Sequence, residues 1–345
     1  MKYIASLAFI LLLASCGTQP EPAPIEVDPG VVNLYSHRHY DIDKALFKQF
    51  EDETGIQVNV VKAGADELLV RLEQEGDQSP ADLFITSDVG RLVRASDMGF
   101  FQPIESGVMI DVVPSPLRDS ENRWTGLTVR ARILAYSPER VDISKLQDYE
   151  DLADANWKGK VLARSSSNLY NQSLLASIIA NDGEEAAKSW TKAVRENMAR
   201  APKGSDRDQV KAIAAGEGDI AIINTYYLGL LLNSENPEEV KAGQAVKVLF
   251  PNQDNRGTHI NISGAGLLKY APNKDNAIKL LEFLLSKESQ SAYAEANYEY
   301  PVRNDVPASA LLQSWGDFKR DEIQLELLGK NNKRAVEIFN EAGWE

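Results

Sequence analysis

VVNLYSHRHYDIDKALFKQFEDETGIQVNVV, residues 31–61, contains two strand patterns with a helix pattern between them. Its first five and last five residues are rich in β-branched side chains, which is typical of strands. Residues 41–53 place their apolar side chains at helical spacing. Asp41 is the candidate N-cap of this helix, and Gly55 ends the pattern. The segment therefore predicts a β-α-β unit.

The alternation of strands and helices continues along the chain. The pattern predicts a strand at 82–86 between helices at 65–75 and 90–98. Further predicted elements are strands at 160–163, 219–224 and 263–268, and helices at 172–180, 186–198, 210–215, 228–232 and 274–285. This order predicts an α/β fold whose sheets are mainly parallel and flanked by helices.

Two extended runs, at 124–136 and 244–250, are candidates for strands that cross between two lobes. The length of 345 residues also favours about two domains, at roughly 150 residues each. The C-terminal residues look like helices that pack on one of the lobes. The predicted boundaries give a first lobe of 31–129 plus 251–310 and a second lobe of 130–250 plus 311–345.

Composition and charge exclude several functional classes. Hydrophobic residues make up 43% of the chain and charged residues 26%, which is typical of a globular protein. A net charge of −14 argues against nucleic-acid binding, because phosphate recognition needs a basic face. Cys16 is the only cysteine and there are three histidines, which excludes cysteine-rich metal sites and disfavours three-histidine sites. The sequence lacks the G-x-S-x-G, H-E-x-x-H and Walker A motifs, so nothing in it points to an enzyme.

The N-terminal segment has the pattern of a secretion signal. Residues 4–14 are apolar, too few to span a bilayer but enough for the core of a signal peptide. Residues 13–16, LASC, resemble the bacterial lipobox, in which the chain is cleaved before the cysteine and the cysteine is lipidated. We therefore expect a signal peptide at 1–15 and, at 16–30, a lipidated Cys16 with a proline-rich tether that holds the protein outside the cytoplasm at a membrane. The alternative is a simple secretory signal with an incidental cysteine.

Tyrosines occupy the places where ligands usually bind in an α/β fold. The adjacent pair Tyr226 and Tyr227 follows the strand predicted at 219–224 and starts a helix. Tyr40 follows the first predicted strand, and Tyr170 follows another. Ligands bind at the carboxyl ends of the strands in open α/β sheets, so these four tyrosines are candidates for one site. The alternative is the usual role of tyrosine as a half-buried packing residue.

Six short segments carry a resemblance to a known family. They are YSHRHY at 35–40, DLFITSD at 82–88, GRL at 90–92, GLTVRAR at 126–132, NLY at 168–170 and TYY at 225–227. Together they resemble the ferric-iron-binding proteins of bacterial ABC importers, the transferrin-like bacterial ferrins. The resemblance covers almost the whole chain after the predicted signal peptide. It implies a two-lobed type II periplasmic-binding-protein fold and a monomeric protein. It also implies that the protein is not an enzyme and that it delivers iron to an ABC permease in the membrane.

The resemblance also implies a set of metal ligands. It assigns Fe³⁺ to four tyrosines, Tyr40, Tyr170, Tyr226 and Tyr227. His39, beside Tyr40, is implied as a fifth ligand, and a hydrogen-bond donor behind the ligands is the alternative. Arg130 is similar to an arginine that lies near the metal in this family, and a hinge residue paired with a carboxylate is the alternative. His37 is expected in a loop, and His259 is expected to pack in the interior.

The chemistry of iron agrees with this ligand set. Fe³⁺ is a hard cation that prefers anionic oxygen ligands. Phenol has a pKa near 10, but a bound cation promotes loss of its proton. Binding should therefore release protons and weaken in acid. Four phenolates favour Fe³⁺ over the alternative ion, Fe²⁺. A metal held between the lobes would favour the closed arrangement of the lobes.

Two other functions stay open at this stage. A binding protein of the same fold for a polyamine, a sugar or an anion would keep the cleft, and its tyrosines would stack on the ligand. A secreted hydrolase with tyrosinate-bound iron would use several histidine and aspartate ligands, and this chain has few histidines to supply them.

Overall fold

The computed structural model describes residues 30–345. The predicted signal peptide, Cys16 and nearly all of the predicted tether lie outside the described residues. Within residues 30–345 the chain forms nine β-strands and fourteen α-helices. None of the helices in this range is long and apolar enough to span a membrane.

The strands are β1 (Val31–Ser36), β2 (Gln57–Lys62), β3 (Leu83–Thr86), β4 (Trp124–Tyr136), β5 (Val161–Leu162), β6 (Ile220–Asn224), β7 (Lys247–Leu249), β8 (Ile260–Leu267) and β9 (Tyr300–Pro301). The helices are α1 (Asp41–Thr54), α2 (Ala65–Glu75), α3 (Val89–Asp97), α4 (Gly107–Val112), α5 (Leu169–Asp182), α6 (Glu184–Asn197), α7 (Asp206–Ala214), α8 (Thr225–Leu232), α9 (Pro237–Gln244), α10 (Lys274–Leu284), α11 (Lys287–Asn297), α12 (Ala310–Ser314), α13 (Glu326–Lys330) and α14 (Asn332–Glu341).

The strands form a mixed sheet in the order β2-β1-β3-β8-β4-β6-β5, with β7 and β9 paired to β4. β1 is parallel to β2 and β3, and β5 is parallel to β6. β8 runs antiparallel to β3 and β4, and β4 runs antiparallel to β6, β7 and β9. The predicted α/β architecture is confirmed, but the expected mainly parallel pairing is corrected to a mixed one. The reason is that β4, which lies between the two halves of the sheet, runs antiparallel to every strand that it pairs with.

β4 belongs to both halves of the molecule. Its residues 124–131 pair with β8, and its residues 132–136 pair with β6. We call the elements built on β1, β2, β3 and β8 the first lobe, and those built on β5, β6 and β7 the second lobe. β4 is therefore the first connection between the lobes, at the place where the sequence predicted one.

The chain returns to the first lobe later than the sequence predicted. Residues 247–249 form β7, which pairs with residues 134–136 of β4 inside the second lobe. The chain reaches the first lobe at β8, whose Ile260 pairs with Ala131. The crossing expected at 244–250 is therefore corrected to the segment between β7 and β8. The boundaries predicted for the two lobes stay predictions.

The C-terminal helices lie mainly against the second lobe. α14 packs on α5 and α6, and near it the rings of Trp344 and Trp190 stack with centroids 6.1 Å apart. α13 packs on α5 and also on α3 of the first lobe. Gly329 of α13 lies so close to Val93 of α3 that there is no room for a β-carbon at this position. α13 therefore contacts both lobes on one side of the cleft.

Candidate metal centre

Three helix starts bring the four predicted tyrosines together. Tyr40 occupies the N-cap position of α1, Tyr170 is the second residue of α5, and Tyr226 and Tyr227 lie in the first turn of α8. α5 and α8 each begin three residues earlier than predicted, at 169 instead of 172 and at 225 instead of 228. The N-terminus of a helix carries a partial positive charge that favours nearby anions. The arrangement therefore suits phenolate oxygens.

The predicted N-cap of α1 was wrong by one residue. Tyr40, not Asp41, has the extended backbone of the N-cap, with φ −75° and ψ 151°. The Asp41 side chain is exposed and pairs with Lys44, Oδ1 to Nζ 2.6 Å. Because Tyr40 takes the N-cap position, its ring can project from the end of β1 toward the second lobe.

A buried ion pair holds the second-lobe tyrosines in place. Arg132 of β4 forms an ion pair with Asp206 at 2.6 Å and donates to Asn171 Oδ1 at 2.6 Å. Asp206 also accepts from the backbone nitrogen of Asn224 at 2.7 Å. Asn171 is the neighbour of Tyr170, and Asn224 is the N-cap of α8. A charge this deeply buried needs such partners, and the pair thereby ties the starts of α5 and α8 to the crossing strand.

Three of the phenol oxygens form a chain across the two lobes. The Tyr40 hydroxyl lies 3.3 Å from the Tyr226 hydroxyl, which lies 3.0 Å from the Tyr170 hydroxyl. The Tyr227 ring packs on Tyr226 with centroids 4.2 Å apart and lies 6.4 Å from the Tyr170 ring. Tyr40 comes from the first lobe and the other three from the second. The structure therefore brings all four predicted tyrosines into one cluster.

Burial favours the protonated forms of Tyr40, Tyr226 and Tyr227 when no cation is bound, because it raises their pKa values. Desolvation, reinforced by Tyr170 and the other nearby oxygens, raises the pKa of Tyr40 and of Tyr226 well above its usual value. Desolvation, followed by Tyr170 and Asp206, raises the pKa of Tyr227 to about 12. A cation that binds these oxygens must displace their protons.

The histidines occupy three different environments. His39 is exposed at the edge of the cluster, with its ring stacked on Tyr40 at a centroid distance of 5.1 Å. Its Nδ1 lies 3.4 Å from the His37 carbonyl oxygen. His37 is half-buried, with Nδ1 3.1 Å from Ser87 Oγ. His259 is buried, as the sequence predicted.

Two arginines face the ring of Tyr170. The Arg130 guanidinium lies 5.0 Å from the ring centroid, and that of Arg164 lies 5.9 Å away. Arg130 is buried and donates to the Ser87 carbonyl and, at 3.3 Å, to Ser263 Oγ. Its Nε has no hydrogen-bond partner among residues 30–345. Arg130 thus lies beside the cluster, and the described residues place no salt-bridge partner on it that would favour the hinge alternative.

A further buried cation, which was not predicted from the sequence, lies behind Tyr40. Arg38 lies with its guanidinium 4.9 Å from the Tyr40 ring centroid and forms ion pairs of 3.1 Å with Asp43 and Glu299. Arg38 also donates to Thr128 Oγ1 at 3.3 Å. Its position two residues before Tyr40 was the only available signal, because Glu299 is 261 residues away in sequence. These ion pairs and the hydrogen bond to Thr128 hold Arg38 against the ring of Tyr40.

The donor chemistry of the cluster fits a hard cation. In residues 30–345 no group of three or more His, Cys, Asp and Glu residues could hold a metal ion. The four phenols offer oxygen donors, and such donors suit hard ions of high charge. The neighbouring arginines and helix starts would offset the negative charge that forms when the phenols lose their protons.

The sequence is similar to those of known proteins. Residues 78–319 match the bacterial extracellular solute-binding protein family. Iron uptake protein A1 of Synechocystis sp. is 48% identical over 337 residues, covering 97% of this chain and 93% of that protein.

Solved structures show the same architecture. A Trichodesmium protein in complex with iron and citrate has a TM-score of 0.88 and 47% identity, and the match covers 92% of this chain and 100% of that one. A ferric binding protein from Campylobacter jejuni has a TM-score of 0.87 and 48% identity, with 91% and 100% covered. The predicted type II periplasmic-binding-protein fold and the resemblance to ferric-binding proteins are therefore confirmed. The chain belongs to the family of bacterial extracellular solute-binding proteins.

Proposed function

We propose that this protein binds Fe³⁺ between its two lobes and delivers it to an ABC permease for iron uptake. The observation that carries the proposal is the chain of phenol oxygens from Tyr40 through Tyr226 to Tyr170, which joins the lobes at distances of 3.3 and 3.0 Å. The names of the similar proteins, which concern iron uptake and ferric binding, support the choice of ion. The function is transport, not catalysis.

The ligands are Tyr40, Tyr170, Tyr226 and Tyr227, with His39 as a fifth ligand from the first lobe. Four phenolates and Fe³⁺ sum to one negative charge, which Arg130 beside Tyr170 offsets. With Fe²⁺ the same ligands would leave two negative charges, so the site favours the ferric ion. His39 lies beside Tyr40 at the open edge of the cluster, where it can turn toward a metal held by the tyrosines.

Metal binding is coupled to closure of the lobes. Tyr40 belongs to the first lobe and the other tyrosines to the second, so the full ligand set exists only when the lobes meet. A ligand shifts a conformational equilibrium by its differential affinity for the two states. Fe³⁺ therefore favours the closed form, and opening at the permease releases it. The lipidated Cys16 and the tether would keep the protein near that permease, outside the cytoplasm.

The experiment is a titration of the purified protein with ferric citrate, followed by visible absorption. Phenolate-to-Fe³⁺ charge transfer should give an orange-red band that the double variant Tyr226→Phe and Tyr227→Phe lacks. Tyr300→Phe is a matched control, because the buried Tyr300 hydroxyl has no hydrogen-bond partner within the described residues. The affinity should also fall below about pH 6, because protons compete for the phenolate ligands.

A colourless wild type would overturn the iron assignment. It would leave a binding protein of the same fold for another small solute, whose tyrosines stack on the ligand. A band that persists unchanged in the double variant would instead show that the metal binds elsewhere.

A further inference from the structure

Away from the tyrosines, a second buried contact joins the lobes at Asp88. Asp88 is the N-cap residue of α3 in the first lobe, and its side chain is fully buried. Its Oδ2 accepts a hydrogen bond of 2.7 Å from Ser173 Oγ. Ser173 lies on α5, which belongs to the second lobe. The contact therefore crosses the cleft, and it contains no atom of the tyrosine cluster.

The first lobe holds the Asp88 carboxylate in position without help from Ser173. Asn261 of β8 donates from Nδ2 to Asp88 Oδ2 at 2.8 Å. The same Asn261 accepts from the backbone nitrogen of Val89 at 3.1 Å, which orients its amide group. When the lobes separate, Asn261 stays with Asp88 and only Ser173 leaves. The Asp88 carboxylate is thus held in place by the first lobe, and it accepts the hydrogen bond from Ser173 when the second lobe is in contact.

A weaker contact lies next to this one on the same two helices. Arg91 of α3 donates to Gln172 Oε1 of α5 at 3.4 Å. Asn332 of α14 donates to the same oxygen at 3.3 Å. Arg91 Nη1 also lies 3.6 Å from Asp88 Oδ1. Gln172 and Ser173 are adjacent in sequence, so one turn of α5 makes both contacts with the start of α3.

The energy of the Asp88 contact depends on whether the lobes are closed. A buried carboxylate is costly unless hydrogen bonds replace its hydration. In this structure, in which the two lobes are in contact at Asp88 and Ser173, Oδ2 has two donors, whereas Oδ1 accepts no hydrogen bond from residues 30–345. Hydrogen bonds to a charged acceptor are stronger than neutral ones. Loss of the Ser173 hydroxyl would therefore destabilise the closed form, while in the open form water can hydrate Asp88.

From this geometry we propose that Asp88 and Ser173 form a polar clasp that stabilises the closed form and slows the release of Fe³⁺. The iron part of this inference rests on the proposed function, whereas the effect on lobe closure does not. Ser173 is a positioning residue, because it acts through the docking of α5 on α3 and not through contact with the metal. The clasp would set how long the protein retains its cargo before the permease opens it.

The test compares wild type with Ser173→Ala, Asp88→Asn and the control Ser177→Ala. Ser177 is also buried on α5, one turn after Ser173, but its Oγ donates at 2.8 Å to Leu174 O within the same helix. Each purified protein is loaded with ferric citrate and then mixed with excess EDTA, and the decay of the visible band gives the release rate. Small-angle X-ray scattering gives the radius of gyration with and without iron.

We expect Ser173→Ala to release iron about 10-fold faster than wild type, because a hydrogen bond to a charged group is lost from a buried site. The position of the visible band should not change, because the tyrosine ligands are intact. Asp88→Asn should accelerate release to a smaller extent, since the acceptor keeps its shape but loses its charge. Ser177→Ala should behave as wild type.

Two results would overturn the clasp. One is a release rate for Ser173→Ala that equals that of wild type. The other is an equal acceleration in Ser173→Ala and Ser177→Ala, which would indicate general loosening of α5. If wild type shows no iron band at all, the proposed function is wrong. The clasp is then tested only by the radius of gyration from small-angle X-ray scattering. A radius of gyration larger in Ser173→Ala than in wild type then supports it, and equal radii refute it.

Discussion

The two lobes contribute unequally to the tyrosine cluster. The second lobe supplies Tyr170, Tyr226 and Tyr227 from the first turns of α5 and α8, and a buried Arg132–Asp206 pair anchors both helix starts. The first lobe supplies Tyr40 and, at the exposed edge, His39. If Fe³⁺ binds as proposed, the difference predicts an order of events, in which a preformed half-site on the second lobe captures the ion first. The first lobe would then complete the coordination as the lobes close.

The largest effect is expected from Tyr226→Phe, which removes the central hydroxyl of the chain of phenols that joins the two lobes. This oxygen lies between those of Tyr40 and Tyr170. Affinity for Fe³⁺ should fall more than about 100-fold, because even residues behind metal ligands are typically worth 10- to 100-fold. Competition with citrate, followed by the visible band, measures the change. An affinity within a few-fold of that of Tyr300→Phe would remove Tyr226 from the ligand set.

Tyr40→Phe tests the first-lobe half of the comparison. Three of the four proposed phenol ligands remain in the second lobe, so the protein should still develop a coloured band. Affinity should drop by about 10- to 100-fold, and iron should reduce the radius of gyration less than in wild type, because His39 alone remains as a proposed ligand from the first lobe. Scattering and the same competition titration check both points. Complete loss of colour in Tyr40→Phe, even with excess ferric citrate, would contradict a preformed second-lobe site.

His259 tests whether the two lobes unfold as one unit, since it lies in the return connection between β7 and β8. Burial, followed by the nearby Arg132, Arg130 and Arg256, lowers the pKa of His259 from 6.5 to about 3. The unfolded chain therefore binds a proton that the folded chain does not, so stability falls as the pH drops from about 6.5 toward 3. Between pH 7 and pH 5 this histidine should cost about 2 kcal/mol of the free energy of unfolding.

Urea unfolding of wild type and His259→Gln at the two pH values measures this difference. The variant should lose about 2 kcal/mol less than wild type between pH 7 and pH 5. A junction residue should affect both lobes, so a single transition is expected to shift. Two transitions, of which only one responds to the substitution, would show that the lobes unfold independently.

The sequence predicted the tyrosine cluster because each member follows a strand or starts a helix, and those positions converge in an α/β fold. The strand register could not be predicted in the same way. β4 and β8 look like ordinary buried strands, and their antiparallel pairing appears only once both lobes are assembled. The helix starts at 169 and 225 were placed three residues too late for a local reason, because the polar and aromatic residues there resemble a loop.

The buried polar contacts could not be predicted from the sequence for a different reason. Arg38 pairs with Glu299 over 261 residues, and Asp88 meets Ser173 over 85 residues. Arginine and aspartate are usually solvated surface residues, and nothing local distinguishes a buried one. Periodicity reports which face of an element is apolar, whereas a partner for a buried charge is chosen by the tertiary fold.

The smallest effect is expected from His39→Ala, at about 10-fold or less in Fe³⁺ affinity. His39 is exposed and stacked on Tyr40, with its Nδ1 near the His37 carbonyl. If the ring leaves its stacking contact with Tyr40 in order to bind the metal, the loss of that contact offsets part of the energy of the new bond. If His39 is a ligand, the variant should also shift the visible band, because the field around the ion changes. If it only supports Tyr40 through stacking, the affinity falls while the band stays in place. A variant with unchanged affinity and an unchanged band would show that the first lobe contributes Tyr40 alone, which would make the asymmetry between the lobes larger.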